Sequence, residues 1–96
     1  PILLVEKDEN TWRFCTDFRK LNSMIPPDRF PMPIVTELLE RMRGASYFSS
    51  LDLKSGYWQI ELAEEFIPWT AFSTHHGHWE YVRLPFGLNN APPIFM

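Results

Sequence analysis

Hydrophobic and polar positions change period several times along the chain, and each change predicts an element. Ile2 to Val5 is a continuous apolar run, and Thr11 to Thr16 alternates well enough for a second strand. The charged stretch Glu6 to Asn10 between them predicts a hairpin with Glu9-Asn10 near its tip, since Asn tolerates positive φ. Lys7 and Arg13 then lie near one another. Asp17 to Asn22 is a short mixed stretch, and Pro26, Pro27, Pro31 and Pro33 impose an extended connection. Val35, Leu38, Leu39 and Met42 follow at i, i+3, i+4 and i+7, the spacing of a helical apolar stripe. Pro33 suits the first turn of that helix and Gly44 its end.

The second half reads as strands and turns. Tyr47 to Leu53 predicts a central strand, broken at Lys54-Ser55-Gly56, where Gly56 permits a sharp turn or the close approach of another segment. Trp58 to Leu62 alternates and predicts a strand or edge segment. Ala63 to Phe66 predicts one helical turn stopped by Pro68. Thr70 to Thr74 and Trp79 to Leu84 predict a hairpin across His75-His76-Gly77-His78. A turn at Leu84 to Gly87 leads to a helix at Ala91-Pro92-Pro93, with Asn89 or Asn90 as its cap. This order suggests an α+β architecture, with helix packed on one face of an antiparallel sheet.

Composition changes this picture in few respects. Ninety-six residues, 45% of them hydrophobic, suffice for one small domain or a piece of a larger one. The apolar beginning at Pro1 and the unfinished element at Ala91 to Met96 lead us to expect an internal fragment. A net charge of −3 argues against a general basic nucleic-acid coat and leaves room for a localised basic site. One cysteine, Cys15, allows no internal disulfide and fits a reducing compartment. No apolar run approaches the length of a membrane span.

The candidate chemistry centres on Asp52, an acid between two leucines in an apolar run. Such an acid costs several kcal/mol of desolvation unless it is paired, neutralised or bound to a metal. It is either a turn cap or a metal ligand for phosphoryl transfer, and a two-metal site needs partner acids that no other stretch supplies in a similar setting. A zinc site from His75, His76, His78 and Cys15 matches no usual ligand spacing, so a polar hairpin tip is expected. Cys15, mid-strand beside Phe14, reads as a small buried hydrophobe rather than a nucleophile. Arg13 beside Trp12 is suited to clamp a phosphate.

The ordered motifs WRFCTDFRKLN, FPMPIVTELL, YFSSLDLKSGYWQIEL, TAF, GHWEY and LPFGLNNAPPIF resemble the reverse transcriptase domain over nearly all of the chain. The Gypsy group of long-terminal-repeat retrotransposons is the nearest type. The resemblance implies part of a right-hand polymerase: residues 1 to about 45 as fingers, 46–67 as the start of the palm, and 68–96 as a return to fingers and re-entry to palm. It implies that Asp52 is the first catalytic aspartate, ligating two Mg²⁺ (or Mn²⁺) ions with help from the Leu53 backbone carbonyl. Tyr57 becomes the steric gate against a ribose 2′-hydroxyl. Lys7 and Arg13 grip the incoming triphosphate, and Phe86 packs against the nucleotide sugar and Arg13. The implied reaction extends a primer with dNTPs on an RNA or DNA template. The aromatic-x-Asp-Asp hairpin with the other two aspartates, and the thumb, are expected after Met96. Further palm and RNase H segments of one polyprotein, and an intracellular setting in cytoplasm or element particle, are implied as well. The fingers turn Glu6-Lys7-Asp8-Glu9-Asn10 departs from the family's lysine run and Asp-Gly. Trp69, Pro93 and Met96 also stand where lysine, a small residue or threonine, and glutamine are usual. The alternative is a non-catalytic retroelement remnant that binds nucleic acid or protein.

Overall fold

A computed structural model describes residues 1–96, which form a small mixed structure of helices and two antiparallel two-stranded sheets. Strands β1 (Ile2–Asp8) and β2 (Thr11–Thr16) make the first hairpin, with Val5 opposite Arg13 and Glu6 opposite Trp12. Asn10 takes a positive φ of 69° at the tip, as its position predicts. The register shifts between Glu6 and Asp8, which leaves Lys7 as the extra residue of a bulge. Helix α1 (Arg19–Met24) follows, and the Asp17 carboxylate accepts the Arg19 N–H at 3.0 Å as the chain enters it. The proline-rich connection is extended. Helix α2 spans Val35–Arg41, starting after Pro33 and with Ile34 at its N-cap.

The core is small and lies elsewhere. Phe18, Leu84, Leu88 and Ala91 are its buried apolar residues, with Leu21, Ile60, Leu62 and Tyr81 packed partly against them. Around it, polar side chains replace regular ladders. Thr70, fully buried, donates its hydroxyl to the Ile67 carbonyl at 2.7 Å and accepts the Tyr81 N–H at 2.9 Å. Asn22 donates to the Gly87 carbonyl at 2.8 Å and accepts the Asn89 N–H at 2.9 Å. Asn90 donates to the Pro26 carbonyl and accepts the Asp28 N–H, both at 2.9 Å. Asn90 therefore ties the proline-rich connection to helix α3 (Ala91–Phe95) rather than capping that helix as its sequence position suggested.

Several expected elements differ, each for a local reason. Tyr47 to Leu53 forms no strand: it makes no backbone hydrogen bond to another segment and is exposed throughout. Trp58 begins no strand either. Ser55, at φ 49°, turns the chain into a 3-10 turn at Gly56–Gln59, and only Ile60 to Leu62 pairs with Val82 to Leu84. Thr70 and Pro68 belong to a second 3-10 turn, Ile67–Thr70, so strand β3 is shortened to Phe72–Thr74. Strand β4 is Gly77–Trp79, because the Tyr81 N–H goes to Thr70 instead of to a strand. His75 and His76 form the turn between β3 and β4, and His78 Nδ1 lies 2.7 Å from Ser73 Oγ.

Helix α2 covers neither sheet. Val35 and Leu39 are more than half exposed, and the helix contains no buried residue. The mixed helix and antiparallel-strand class agrees with the sequence reading, whereas a helix layered on one sheet face does not occur for α2. The radius of gyration, 16.9 Å, exceeds the roughly 12 Å of a compact domain of this length. No helix is long and apolar enough to cross a membrane.

Candidate nucleotide site

The candidate residues come together from three parts of the chain. Arg13, opposite Val5, and Lys7, the bulge residue, border one cavity at the first hairpin. The Leu84–Gly87 turn carries Phe86 to it. There the Arg13 guanidinium carbon stands 4.9 Å from the centre of the Phe86 ring, within cation–π range. Gly87 at φ 95° makes the turn possible, a conformation that side chains disfavour. The Asn22 clip holds the backbone just after it.

Tyr57 approaches from the 3-10 turn. Its ring lies 5.1 Å from Phe86 and 5.6 Å from Phe95, the second contact edge-on at 77°. The turn is fixed from below, where Gln59 donates its side-chain amide to the Lys54 carbonyl at 2.8 Å. Arg13, Asp52, Leu53, Tyr57 and Phe86 thereby line one cavity of about 630 Å³, with Leu51, Ser55, Gly56 and Phe95. Its size suits a nucleotide-sized ligand. Lys7 does not reach that cavity. It lines a neighbouring one of about 540 Å³ with Trp12, Trp58 and Phe72, which shares Arg13, Ser55 and Phe86 with the first.

The cations at the cavities are unpaired. The two ion pairs are Arg19 with Asp17 at 2.7 Å and Arg83 with Glu61 at 3.3 Å. Lys7 and Arg13 belong to neither, so their charge is free for an anionic ligand. Hydrogen bonds from Arg19 hold the Asp17 carboxyl down at about 2, away from the cavity residues. Asp52 is exposed on the cavity wall with no hydrogen bond or ion pair of its own. The expectation of an acid buried by its flanking leucines fails, because Leu51 is 94% and Leu53 57% exposed. Its oxygen-donor chemistry fits Mg²⁺, yet one carboxylate and one carbonyl fall short of the six oxygens that ion takes. No group of three His, Cys, Asp or Glu gathers anywhere in the chain. The donor set of residues 1–96 does not complete a metal site.

Sequence reasoning missed Phe95 and Ser55. Phe95 had no signal beyond lying in a short apolar helix. Gly56 gave a partial one: a close approach was expected there, and the approaching group is the Phe95 ring.

The chain matches the family model for reverse transcriptase (RNA-dependent DNA polymerase) over residues 5–96. It belongs to the reverse transcriptase family. Over 86 residues it is 50% identical to a retrovirus-related Pol polyprotein from transposon 297 of Drosophila melanogaster, covering 90% of this chain and 8% of that protein. The corresponding polyprotein from transposon gypsy of the same organism is 52% identical over 83 residues, 86% of this chain and 8% of its own length. An RNA-directed DNA polymerase homolog from Oenothera berteroana is 39% identical over 87 residues, 91% of this chain and 61% of that protein. The chain thus spans about a tenth or less of the transposon polyproteins it resembles. The likeness to Gypsy-type elements read from the motifs agrees with these relatives.

Proposed function

We propose that residues 1–96 are the nucleotide-gripping part of an RNA-directed DNA polymerase, acting on a primer, its RNA or DNA template and a dNTP. One observation carries the reading. Arg13, Asp52, Tyr57 and Phe86, distant in sequence, line a single cavity. A cation to bind phosphate, an acid to bind a metal and a ring to bound the sugar are what nucleotidyl transfer asks of one side of its site. In this reading Arg13, braced on Phe86, holds the triphosphate, with Lys7 adding positive field from the adjacent cavity. Tyr57 stands where a 2′-hydroxyl would have neither room nor a partner. Asp52 and the Leu53 carbonyl contribute oxygen ligands, and the remaining acids come from residues outside 1–96. Two divalent ions, if fully ligated by these and further acids, would supply charge neutralisation at the α-phosphate and activation of the primer 3′-hydroxyl. Residues 1–45 then serve as fingers, 46–67 as the entry to the palm and 68–96 as the return through fingers. The rest of the palm, the thumb and an RNase H segment belong to the same polyprotein.

The single carboxylate of the cavity favours a second statement about the 96 residues alone: they do not polymerise. Asp52→Asn in the full-length polymerase tests the first statement. Primer extension should fall about a thousandfold, the several kcal/mol that metal charge stabilisation supplies. Template-primer binding should change little. Extension near the wild-type rate would refute the assignment of Asp52.

A further inference from the structure

Tyr57 has no hydrogen bond to its hydroxyl, so only packing sets the angle of its ring. Two rings do the packing. Phe86 answers for one face, and it is itself engaged by Arg13. Phe95 meets the Tyr57 ring edge-on from α3. Phe95 also lies over Gly56, the residue before Tyr57. A Cβ built on Gly56 would come within 2.8 Å of Phe95 Cζ, closer than real Cβ atoms approach. Glycine at 56 and phenylalanine at 95 are therefore one fitted pair, and both line the Asp52 cavity.

We infer that Phe95 is a positioning residue for sugar discrimination: seated on Gly56, it holds the Tyr57 ring at the angle that excludes a ribose 2′-hydroxyl. The inference rests on Tyr57 being the sugar gate. Helix α3 thereby has a part in choosing the substrate. A smaller residue at 95 leaves one side of Tyr57 without contact, and the ring can swing toward α3. An added methyl at 56 displaces Phe95 and has the same effect from the other side.

The test uses the full-length polymerase and compares kcat/KM for an rNTP with that for the matching dNTP. Phe95→Leu should raise relative rNTP use about tenfold, in the range set by hydrophobic pocket complementarity. The dNTP rate is measured alongside, and the rNTP-to-dNTP ratio is what decides. Gly56→Ala should move the ratio in the same direction. Tyr57→Val should raise it further, and adding Phe95→Leu to Tyr57→Val should change nothing more. If Tyr57→Val raises the ratio and both Phe95→Leu and Gly56→Ala leave it unchanged, the positioning role is overturned while the gate stands. If Tyr57→Val itself leaves the ratio unchanged, the gate reading falls and this inference with it. A Phe95→Leu protein that loses dNTP and rNTP use equally points to a structural role and overturns the inference. Should Phe95→Leu fail to fold, Gly56→Ala decides alone on the same ratio.

Discussion

Two regions of the chain carry equally clear sequence patterns and meet opposite fates. The residues around Phe18, Leu84, Leu88 and Ala91 find their partners within the chain and form its core. The stretch from Pro31 to Leu53 does not. Its helix α2 leaves Val35 and Leu39 more than half exposed, and Tyr47 and Leu51 are almost wholly so. Apolar pattern states what a segment can bury, and the available neighbours decide whether it does. Asp52 lies in the unpartnered region, while Arg13, Tyr57 and Phe86 are held by the partnered one. The side of the cavity lined by Arg13, Tyr57 and Phe86 is thus fixed by contacts inside residues 1–96, and the side lined by Asp52 is not.

The largest effects should therefore come from the core. Leu84 is 2% exposed. Leu84→Ala should cost about 2–5 kcal/mol, comparable to the whole stability of a chain with so small a core. Far-ultraviolet circular dichroism and urea unfolding of the 96-residue chain should find the variant largely unfolded. Leu39→Ala, an equal truncation in the other region, should shift stability by no more than about 0.5 kcal/mol. Equal costs at the two sites would erase the distinction between the regions.

A smaller effect is expected at the polar clips. Asn22 satisfies two backbone groups of the Gly87–Asn89 segment. Asn22→Ala should cost about 1–3 kcal/mol, and the loss should be local. Amide exchange should rise at Asn89 and around Phe86, because the turn that seats Phe86 under Arg13 loses its tether. Unchanged exchange at Asn89 would mean that packing of Leu84 and Leu88 alone holds the turn.

The hairpin of β1 and β2, the extended proline connection and the α2 period were legible because each is a local property of its own residues. The pairing of Lys7 with Arg13 followed from hairpin geometry, although the bulge at Lys7 directs it to a second cavity. The Asn22 and Asn90 clips were not legible. An Asn beside a Pro-containing helix start looks the same whether it caps that helix or reaches a segment more than sixty residues away. Phe95 was hidden for the same reason, since its partner Gly56 belongs to a different element. The strand expected at Tyr47–Leu53 shows the converse failure. Local pattern asked for a strand, and no neighbouring backbone answered.

The smallest predicted effect probes the partnered region without perturbing its core. Asp17 and Arg19 form a pair at the start of α1, its Arg19 end exposed and its Asp17 end largely covered, joined by side-chain and backbone hydrogen bonds. Those bonds lower the Asp17 carboxyl from 3.8 to about 2. A carboxyl depressed by folding stabilises the fold above its unfolded value and loses that contribution as pH falls through its folded value. The contribution should therefore be complete above about pH 4 and fade between 3.8 and 2. Because the Arg19 end of the pair is open to solvent, the change in stability should be slight and should weaken with salt. Carbon-detected NMR titration of the Asp17 carboxyl should give a midpoint near 2, moving toward 3.8 in Arg19→Gln. A wild-type midpoint already at 3.8 would mean that the turn into α1 is not formed in solution, and that the ordered region begins no earlier than the core itself.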